Sequence, residues 1–232
     1  MKNTNPLYYG HRFPAEIISH AVWLFHRFCL SYHDVEDLLA ERGIEVTYES
    51  IRQWCNRFGP DYARKLKIRR ARLGDNWFLD EVLVTIGGQL QYLWRAVDQD
   101  GDTIDILLQK RRNKRAAKRF FRKLLKGQRA SPRRMVTDKL KSYSAAKREV
   151  MPSVPHCTDR YANNRCEFSH EPTRLRERQM RRFKTAGQAQ RFLTVHGVVG
   201  NLFRLGRHLM RASHYREFRS RAFSEWQQVT CA

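Results

Sequence analysis

The spacing of apolar residues changes from a helical to an extended period near Asn76, and this change most constrains the fold. Before Asn76, apolar residues recur with the 3.6-residue period of amphipathic helices. After it come three extended runs rich in Val, Ile, Leu and aromatic residues, separated by Gly-Gly and Asp-Gly pairs that favour hairpin turns. The runs are 77–86, 89–97 and 103–108. The sequence therefore predicts a helical region followed by an antiparallel three-stranded meander.

Helices and a further strand follow the meander. The stretch Asn113–Leu125 has the apolar stripe of a basic helix, Arg134–Thr137 is a short strand, and a helix is predicted near Leu140–Val150. Three antiparallel strands, a helix, a strand and a helix is the order of an RNase H-like fold. The pattern by itself establishes only an α/β domain with a mixed sheet.

The helical region contains a pattern typical of a helix-turn-helix. Ser31 and Asp34 form a capping-box-like start, and Gly43 is placed to end that helix. Thr47 is the next N-cap candidate, and the second helix is predicted to stop at Gly59-Pro60. With a preceding helix over 15–30, this makes three helices with a tight joint between the last two.

The second of these helices has one apolar and one polar face. Ile51, Trp54 and Phe58 are expected to pack inward. Arg, Gln and Asn side chains can make paired hydrogen bonds to base edges in the major groove. The DNA-contact candidates are therefore Arg52, Gln53, Asn56 and Arg57. The alternative is a small helical bundle whose polar face is only solvated.

The charge of the chain favours nucleic acid as the partner. Lys and Arg number 45 against 23 Asp and Glu, a net charge of +22, and such an excess is self-repulsive unless a polyanion neutralises it. The most apolar stretch, 17–30, is interrupted by His20, His26 and Arg27, which excludes a membrane span there. The N-terminus has no export signal, and the five cysteines are scattered. We expect no membrane partner and a DNA-associated protein that stays in a reducing cytoplasm.

Three acidic residues stand where carboxylates can converge. Asp80 lies midway along the first strand, Asp138 at the end of the fourth, and Glu167 in the later stretch YANNRCEFSHEPTR. Carboxylate oxygens suit Mg²⁺, and two such ions support phosphoryl transfer. The simpler interpretation of a strand carboxylate is a solvated or salt-bridged group. We expect that for Glu81, which alternation places on the sheet face opposite Asp80, and for Asp98, Asp102 and Asp105.

Three segments resemble the catalytic blocks of DDE-type bacterial transposases, most closely insertion sequence family six. They are WFLDEV, VTDKLKSY and YANNRCEFSHEPTRLRERQMRRFK, in the order of that family, within a resemblance that spans about 13–205. The resemblance implies that Asp80, Asp138 and Glu167 are the catalytic, metal-binding triad. A basic residue seven positions after the Glu is typical of the class, and Arg174 stands there to hold substrate phosphate.

Two features of this sequence depart from the family pattern. Only 28 residues separate Asp138 from Glu167, fewer than is usual for the class. Pro172 lies between Glu167 and Arg174 and would kink a helix or mark its first turn. Glu171 is therefore the competing third ligand, although Glu167 is favoured because Asn163-Asn164 before it makes a reasonable N-cap.

The fold class that follows is α/β: an RNase H-like catalytic domain with a mixed sheet, preceded by a small all-α helix-turn-helix domain. We expect the helical DNA-binding domain over 1–72, the catalytic domain over 73–212 and a C-terminal tail over 213–232. Basic runs flank the proposed site in sequence, so we also expect a DNA backbone contact on the helix that carries Lys118 and Arg122.

The resemblance implies a transposase that binds the terminal inverted repeats of an insertion sequence and catalyses Mg²⁺-dependent nicking and strand transfer. The implied cofactor is a pair of Mg²⁺ ions, with Mn²⁺ as a substitute. The implied partners are double-stranded DNA, both element ends and target, and further copies of the chain in a dimer or higher multimer. Two alternatives stay open: a catalytically silent helix-turn-helix regulator, and a metal-dependent nuclease without strand transfer.

Overall fold

The computed structural model describes residues 6–70, 73–159, 162–164, 166, 175, 183–206 and 209–231. Two compact units make up the chain: residues 1–70 with 198–232, and residues 71–197. The predicted boundaries differ from this division. Residues 213–230 of the predicted tail lie in a helix, Ala212–Thr230, which belongs to the first unit and buries Trp226 and Val229.

The first unit is all-helical. Its helices are α1 (Ala15–Arg27), α2 (Tyr32–Ala40), α3 (Tyr48–Arg69), the end of α6 (Ala186–Phe203) and α7 (Ala212–Thr230). Local signals start α2 and α3 as expected: Ser31 and Asp34 form a capping box, and the Thr47 side chain accepts the Ser50 N–H. The predicted stop at Gly59-Pro60 was wrong, because α3 continues to Arg69.

Burial beyond Pro60 explains why α3 continues. A proline inside a helix costs about 3 kcal/mol. Tyr62 and Leu66 are buried in the next turns. The Tyr62 ring makes an edge-to-face contact with Trp226, with ring centroids 5.4 Å apart, and its hydroxyl is hydrogen-bonded to that of Tyr8. Burying each such side chain contributes about 1.5–3 kcal/mol. The tertiary contacts therefore outweigh the local helix-breaking signal.

The second unit is built on a five-stranded sheet, counted over the described residues. Its strands are β1 (Asn76–Ile86), β2 (Gln89–Val97), β3 (Thr103–Gln109), β4 (Arg134–Thr137) and β5 (His156–Cys157), in the spatial order β3-β2-β1-β4-β5. The first three strands are antiparallel, and β4 and β5 run parallel to β1. This is the sheet of an RNase H-like domain, which confirms the predicted fold class.

Helices α4 (Lys114–Gln128) and α5 (Lys141–Val150) pack on one face of the sheet. Their apolar residues form a buried cluster with those of β1, β2 and β4, around Trp94, Phe120 and Tyr143. Helix α6 begins in this unit and hydrogen-bonds to β3 through Gln190. No helix among the described residues has both the length and the apolar character needed to cross a membrane.

Candidate active site

The register of two parallel strands brings Asp80 and Asp138 together. β1 and β4 pair side by side, and the last paired residues are Leu79 and Thr137. Asp80 and Asp138 each follow one of these residues, so they lie side by side at the same level, Asp80 within β1 and Asp138 just past the end of β4. Neighbouring strands are about 4.8 Å apart. Both side chains are partly buried, and Asp138 Oδ1 accepts the Leu140 N–H at 3.1 Å just before α5.

Glu81 joins this pair, which its sequence context did not indicate. One carboxylate oxygen from each of Asp80, Glu81 and Asp138 lies within 4.8 Å of the others. Burial alternates between Asp80 and Glu81 along β1, and Glu81 is salt-bridged as expected. It is buried rather than solvated, with only 1% of its side chain exposed.

One hydrogen bond and one ion pair hold the carboxylate of Glu81. The Tyr143 hydroxyl on α5 donates to Oε2 at 2.5 Å, and Arg112 Nε lies 2.5 Å from Oε1. Arg112 also places Nη2 3.4 Å from Asp138 Oδ2. Burial raises the pKa of Glu81 to about 7, and the charges of Asp138 and Asp80 act in the same direction against the Tyr143 hydrogen bond and Arg112. Burial likewise raises the pKa of Tyr143 well above its ordinary value.

The donor set fits a divalent metal. Hard carboxylate oxygens are the ligands that Mg²⁺ and Mn²⁺ prefer. Three carboxylates this close repel one another unless cations lie between them, and Arg112 supplies one positive charge. The accessible members are Asp80 and Asp138, whereas Glu81 is buried, with Oε2 accepting the Tyr143 hydroxyl and Oε1 in an ion pair with Arg112.

The third predicted ligand lies outside the described residues, as do its competitor and the predicted phosphate contact: Glu167, Glu171 and Arg174. The residues just before Glu167 are described. Asn163 Nδ2 donates to the carbonyl oxygen of Leu79 at 2.8 Å, and Cys166 is buried with its thiol 3.8 Å from the carbonyl oxygen of Arg95. The chain leading to Glu167 is therefore tied to β1 one residue before Asp80.

The predicted DNA contacts on α3 are all exposed: Arg52, Gln53, Asn56 and Arg57. Arg52 makes two hydrogen bonds to Glu49, at 2.7 and 2.6 Å, and Gln53 donates to the same carboxylate at 3.1 Å. The Arg52 hydrogen bonds, followed by the Gln53 bond, lower the pKa of Glu49 to about 2. Ile51, Trp54 and Phe58 are buried, so the predicted division of the helix into two faces is confirmed.

The two predicted DNA contacts on α4, Lys118 and Arg122, differ in whether they are ion-paired. Lys118 is ion-paired with Glu149, which Lys114 also contacts, whereas Arg122 is exposed. Arg122 belongs to a stripe of exposed cations at helical spacing that makes no ion pair within the described part of the chain. We call it the α4 stripe: Arg115, Arg119, Arg122 and Lys126.

Two residues of the site were missed as functional candidates. Glu81 directly follows Asp80, and that adjacency is the only signal for it in the sequence. Arg112 lies in the basic run 111–115 and is indistinguishable there from its neighbours. Only the contacts of Arg112 with Glu81 and Asp138 separate it from them.

Comparisons with known proteins show the family to which the chain belongs. A family model described as a DDE domain (DDE_Tnp_IS240) matches residues 74–205. The chain is 31% identical over 180 residues to the transposase for insertion sequence-like element IS431mec of Staphylococcus aureus strain Mu50, a match covering 75% of this chain and 80% of that protein. The transposase for insertion sequence element IS257 in transposon Tn4003 of Staphylococcus aureus matches with the same identity and coverage.

Among solved structures, the HTLV-2 integrase catalytic core domain in complex with magnesium is similar, with a TM-score of 0.41 and 14% identity over 62% of this chain and 94% of that one.

Proposed function

Because the chain belongs to the DDE transposases of insertion sequences, of the type of insertion sequence family six, we propose that it binds the inverted repeats of its own element and catalyses Mg²⁺-dependent nicking and strand transfer. The observation that carries this proposal is the placement of Asp80 and Asp138 at the same level of two parallel strands. A transposase of this class is an enzyme that transfers phosphoryl groups between DNA strands.

The proposed reaction exchanges one phosphodiester for another. In the first step, water attacks the phosphorus at the element end, the bond from phosphorus to the 3′ oxygen breaks, and a 3′-OH is freed. In the second, that hydroxyl attacks a target phosphodiester, a new P–O bond forms, and a target 3′-OH leaves. A bound pair of divalent ions would supply activation of the attacking oxygen and stabilisation of the leaving one.

Asp80 and Asp138 would hold the metal, with Glu167 as the third ligand. The hydrogen bond from Asn163 to the Leu79 carbonyl supports Glu167, because it ties the chain four residues before Glu167 to the strand that carries Asp80. Arg174, seven positions further on, would hold a substrate phosphate. We retain Mg²⁺ as the metal and Mn²⁺ as its substitute on the chemistry of the oxygen ligands.

DNA binding is proposed at two surfaces of different kind. The exposed face of α3 carries groups that can hydrogen-bond to base edges: Arg52, Gln53, Asn56 and Arg57. The α4 stripe presents positive charge without such geometry, and it suits the phosphate backbone. A dimer or higher multimer on DNA is proposed as well, since two element ends must be handled together.

The test is an assay of labelled inverted-repeat DNA with Mg²⁺, scored for nicks and joined products. Asp80→Asn and Asp138→Asn should each lower both products at least about hundredfold, because each removes a metal ligand, while DNA affinity stays nearly unchanged. Asp100→Asn, in the exposed β2–β3 turn, is the matched control and should keep activity. Strand transfer by either triad variant contradicts the assignment. Nicks without joined products would identify a nuclease, and binding without cleavage a regulator.

A further inference from the structure

Glu81 and Arg112 have a distinct place in the acidic cluster. We propose that Glu81 is a positioning residue rather than a metal ligand: with Tyr143 it forms a buried anchor for Arg112, and Arg112 is the cation that contacts the scissile phosphate beside Asp138. This inference rests on the proposed function, since it assigns roles around the same site.

The burial and contacts of Glu81 distinguish it from Asp80 and Asp138. Its side chain is 1% exposed, against 37% for that of Asp138. Oε2 accepts the Tyr143 hydroxyl from inside the apolar cluster beneath α4 and α5, and Oε1 faces Arg112 Nε. A Mg²⁺ ion at Oε1 would lie against the guanidinium, so like charges would be forced together. The contacts therefore favour Glu81 as an anchor for the guanidinium of Arg112 rather than as a metal ligand.

Arg112 is placed to act on substrate. It lies in the connection between β3 and α4, and its side chain is 41% exposed. Nε lies 2.5 Å from Glu81 Oε1 in an ion pair, and Nη2 donates to Asp138 Oδ2 at 3.4 Å, which uses one of the five guanidinium N–H groups. The remaining edge of a planar guanidinium matches two phosphate oxygens, a fit that lysine lacks. Because Glu81 holds one side of the group, Arg112 enters the reaction already oriented.

The first experiment measures Mn²⁺ affinity of the full chain by electron paramagnetic resonance. Asp138→Asn should weaken binding at least tenfold, whereas Glu81→Gln, which keeps the shape of the side chain, should change it less than threefold. Asp105→Asn is the matched control. Asp105 is another buried carboxylate, on β3, and its Oδ1 is ion-paired with Lys123 Nζ at 2.8 Å. If Glu81→Gln weakens Mn²⁺ binding as much as Asp138→Asn, Glu81 is a ligand and the proposal is overturned.

The second experiment measures binding of end DNA in Ca²⁺, which separates contact from cutting. Arg112→Gln should weaken binding at least fivefold when the scissile linkage is a phosphodiester. The effect should disappear when that linkage is a neutral methylphosphonate, because the charge that Arg112 contacts is then absent. An equal loss of affinity on both DNAs would overturn the proposed contact. Arg112 is exposed, so this variant also decides the question if Glu81→Gln does not fold.

The third experiment tests whether Glu81 acts through Arg112. At saturating Mg²⁺ and DNA, Glu81→Gln and Arg112→Gln should each slow nicking at least tenfold, and the double variant should be no slower than Arg112→Gln alone. Arg112→Lys should restore part of the rate. If the rate reductions of the two single variants multiply in the double variant, Glu81 does not act through Arg112 and the proposal is contradicted. If the unmodified chain cuts no DNA, the proposed function fails, and the Mn²⁺ and methylphosphonate measurements still decide the roles of Glu81 and Arg112.

Discussion

Asn163 donates a hydrogen bond through its side-chain amide to the carbonyl oxygen of Leu79, at 2.8 Å, within the buried part of the second unit. Leu79 is the residue before Asp80, and Asn163 lies four residues before Glu167. One side chain thus joins the segment that leads to the third predicted ligand to the strand that bears the first. The bond spans 84 residues of chain.

Asn163→Ala should lower the free energy of unfolding by about 1–3 kcal/mol, because it leaves the buried Leu79 carbonyl without this donor. Urea unfolding followed by circular dichroism measures the change. Asn164→Ala is the control, since Asn164 is only half-buried, and it should cost less than about 0.5 kcal/mol. Equal effects of the two variants would mean that the bond contributes little.

Glu167→Gln should be as damaging to nicking and joining as Asp80→Asn, because it removes the proposed third ligand without changing the size of the side chain. Glu171→Gln should reduce activity less than about threefold. The comparison uses purified full-length variants at one Mg²⁺ concentration. The reverse ranking would make Glu171 the ligand and place the start of the catalytic helix later in the chain.

Arg52→Ala should weaken binding to the element's own ends by about 1–3 kcal/mol and affect random DNA little, if α3 reads base edges. Titrations on end-containing and scrambled duplexes measure the difference. Arg64→Ala is the control, because Arg64 lies on the same helix and pairs with Asp61 at 2.5 Å, as Arg52 pairs with Glu49. Equal weakening on both duplexes would identify α3 as a backbone clamp.

Arg119→Ala and Arg122→Ala should weaken binding to all DNA sequences similarly. Each phosphate interaction that a substitution removes should reduce the slope of the salt dependence by about one unit. Lys118→Ala should have a smaller effect, since Lys118 is already ion-paired with Glu149. Affinities measured over a series of salt concentrations give the slopes. A larger change for Lys118→Ala than for Arg122→Ala would refute the α4 stripe as the DNA-binding surface.

Glu81 should make the unfolding free energy depend on pH. Burial raises its pKa to about 7 in the folded chain from an ordinary value of 4.5, so the folded state keeps a proton that the unfolded state has lost. The stabilisation is fully present below pH 4.5 and is lost as the pH rises through 7, by on the order of 3 kcal/mol. Urea unfolding over a series of pH values, with a chelator present, should show this fall in the unfolding free energy of the unmodified chain and a smaller fall in Glu81→Gln. Identical pH dependence of the two proteins would contradict the prediction.

The amino-acid sequence alone determined the starts of α2 and α3 and the turn between β1 and β2, and it nominated the main candidate ligands. The capping signals at Ser31 and Thr47 act between residues three apart, so their outcome does not depend on distant parts of the chain. Gly87 and Gly88 both have positive φ, as a tight turn between β1 and β2 requires. The period-two pattern of the first strand then placed Asp80 on β1. The resemblance of the surrounding motifs nominated both Asp80 and Asp138 as candidate metal ligands.

The tertiary structure decided everything that depends on contacts between distant residues. Helix α3 passes Pro60 because Tyr62 and Leu66 are buried in the first unit, and the two-residue strand β5 exists because it pairs with the edge of β4. Glu81 joins Asp80 and Asp138 because Tyr143 and Arg112, 62 and 31 positions further along the chain, hold its carboxylate. Sequence periodicity predicts on which face of a strand or helix a residue lies. The residues that contact it there depend on strand register and helix packing.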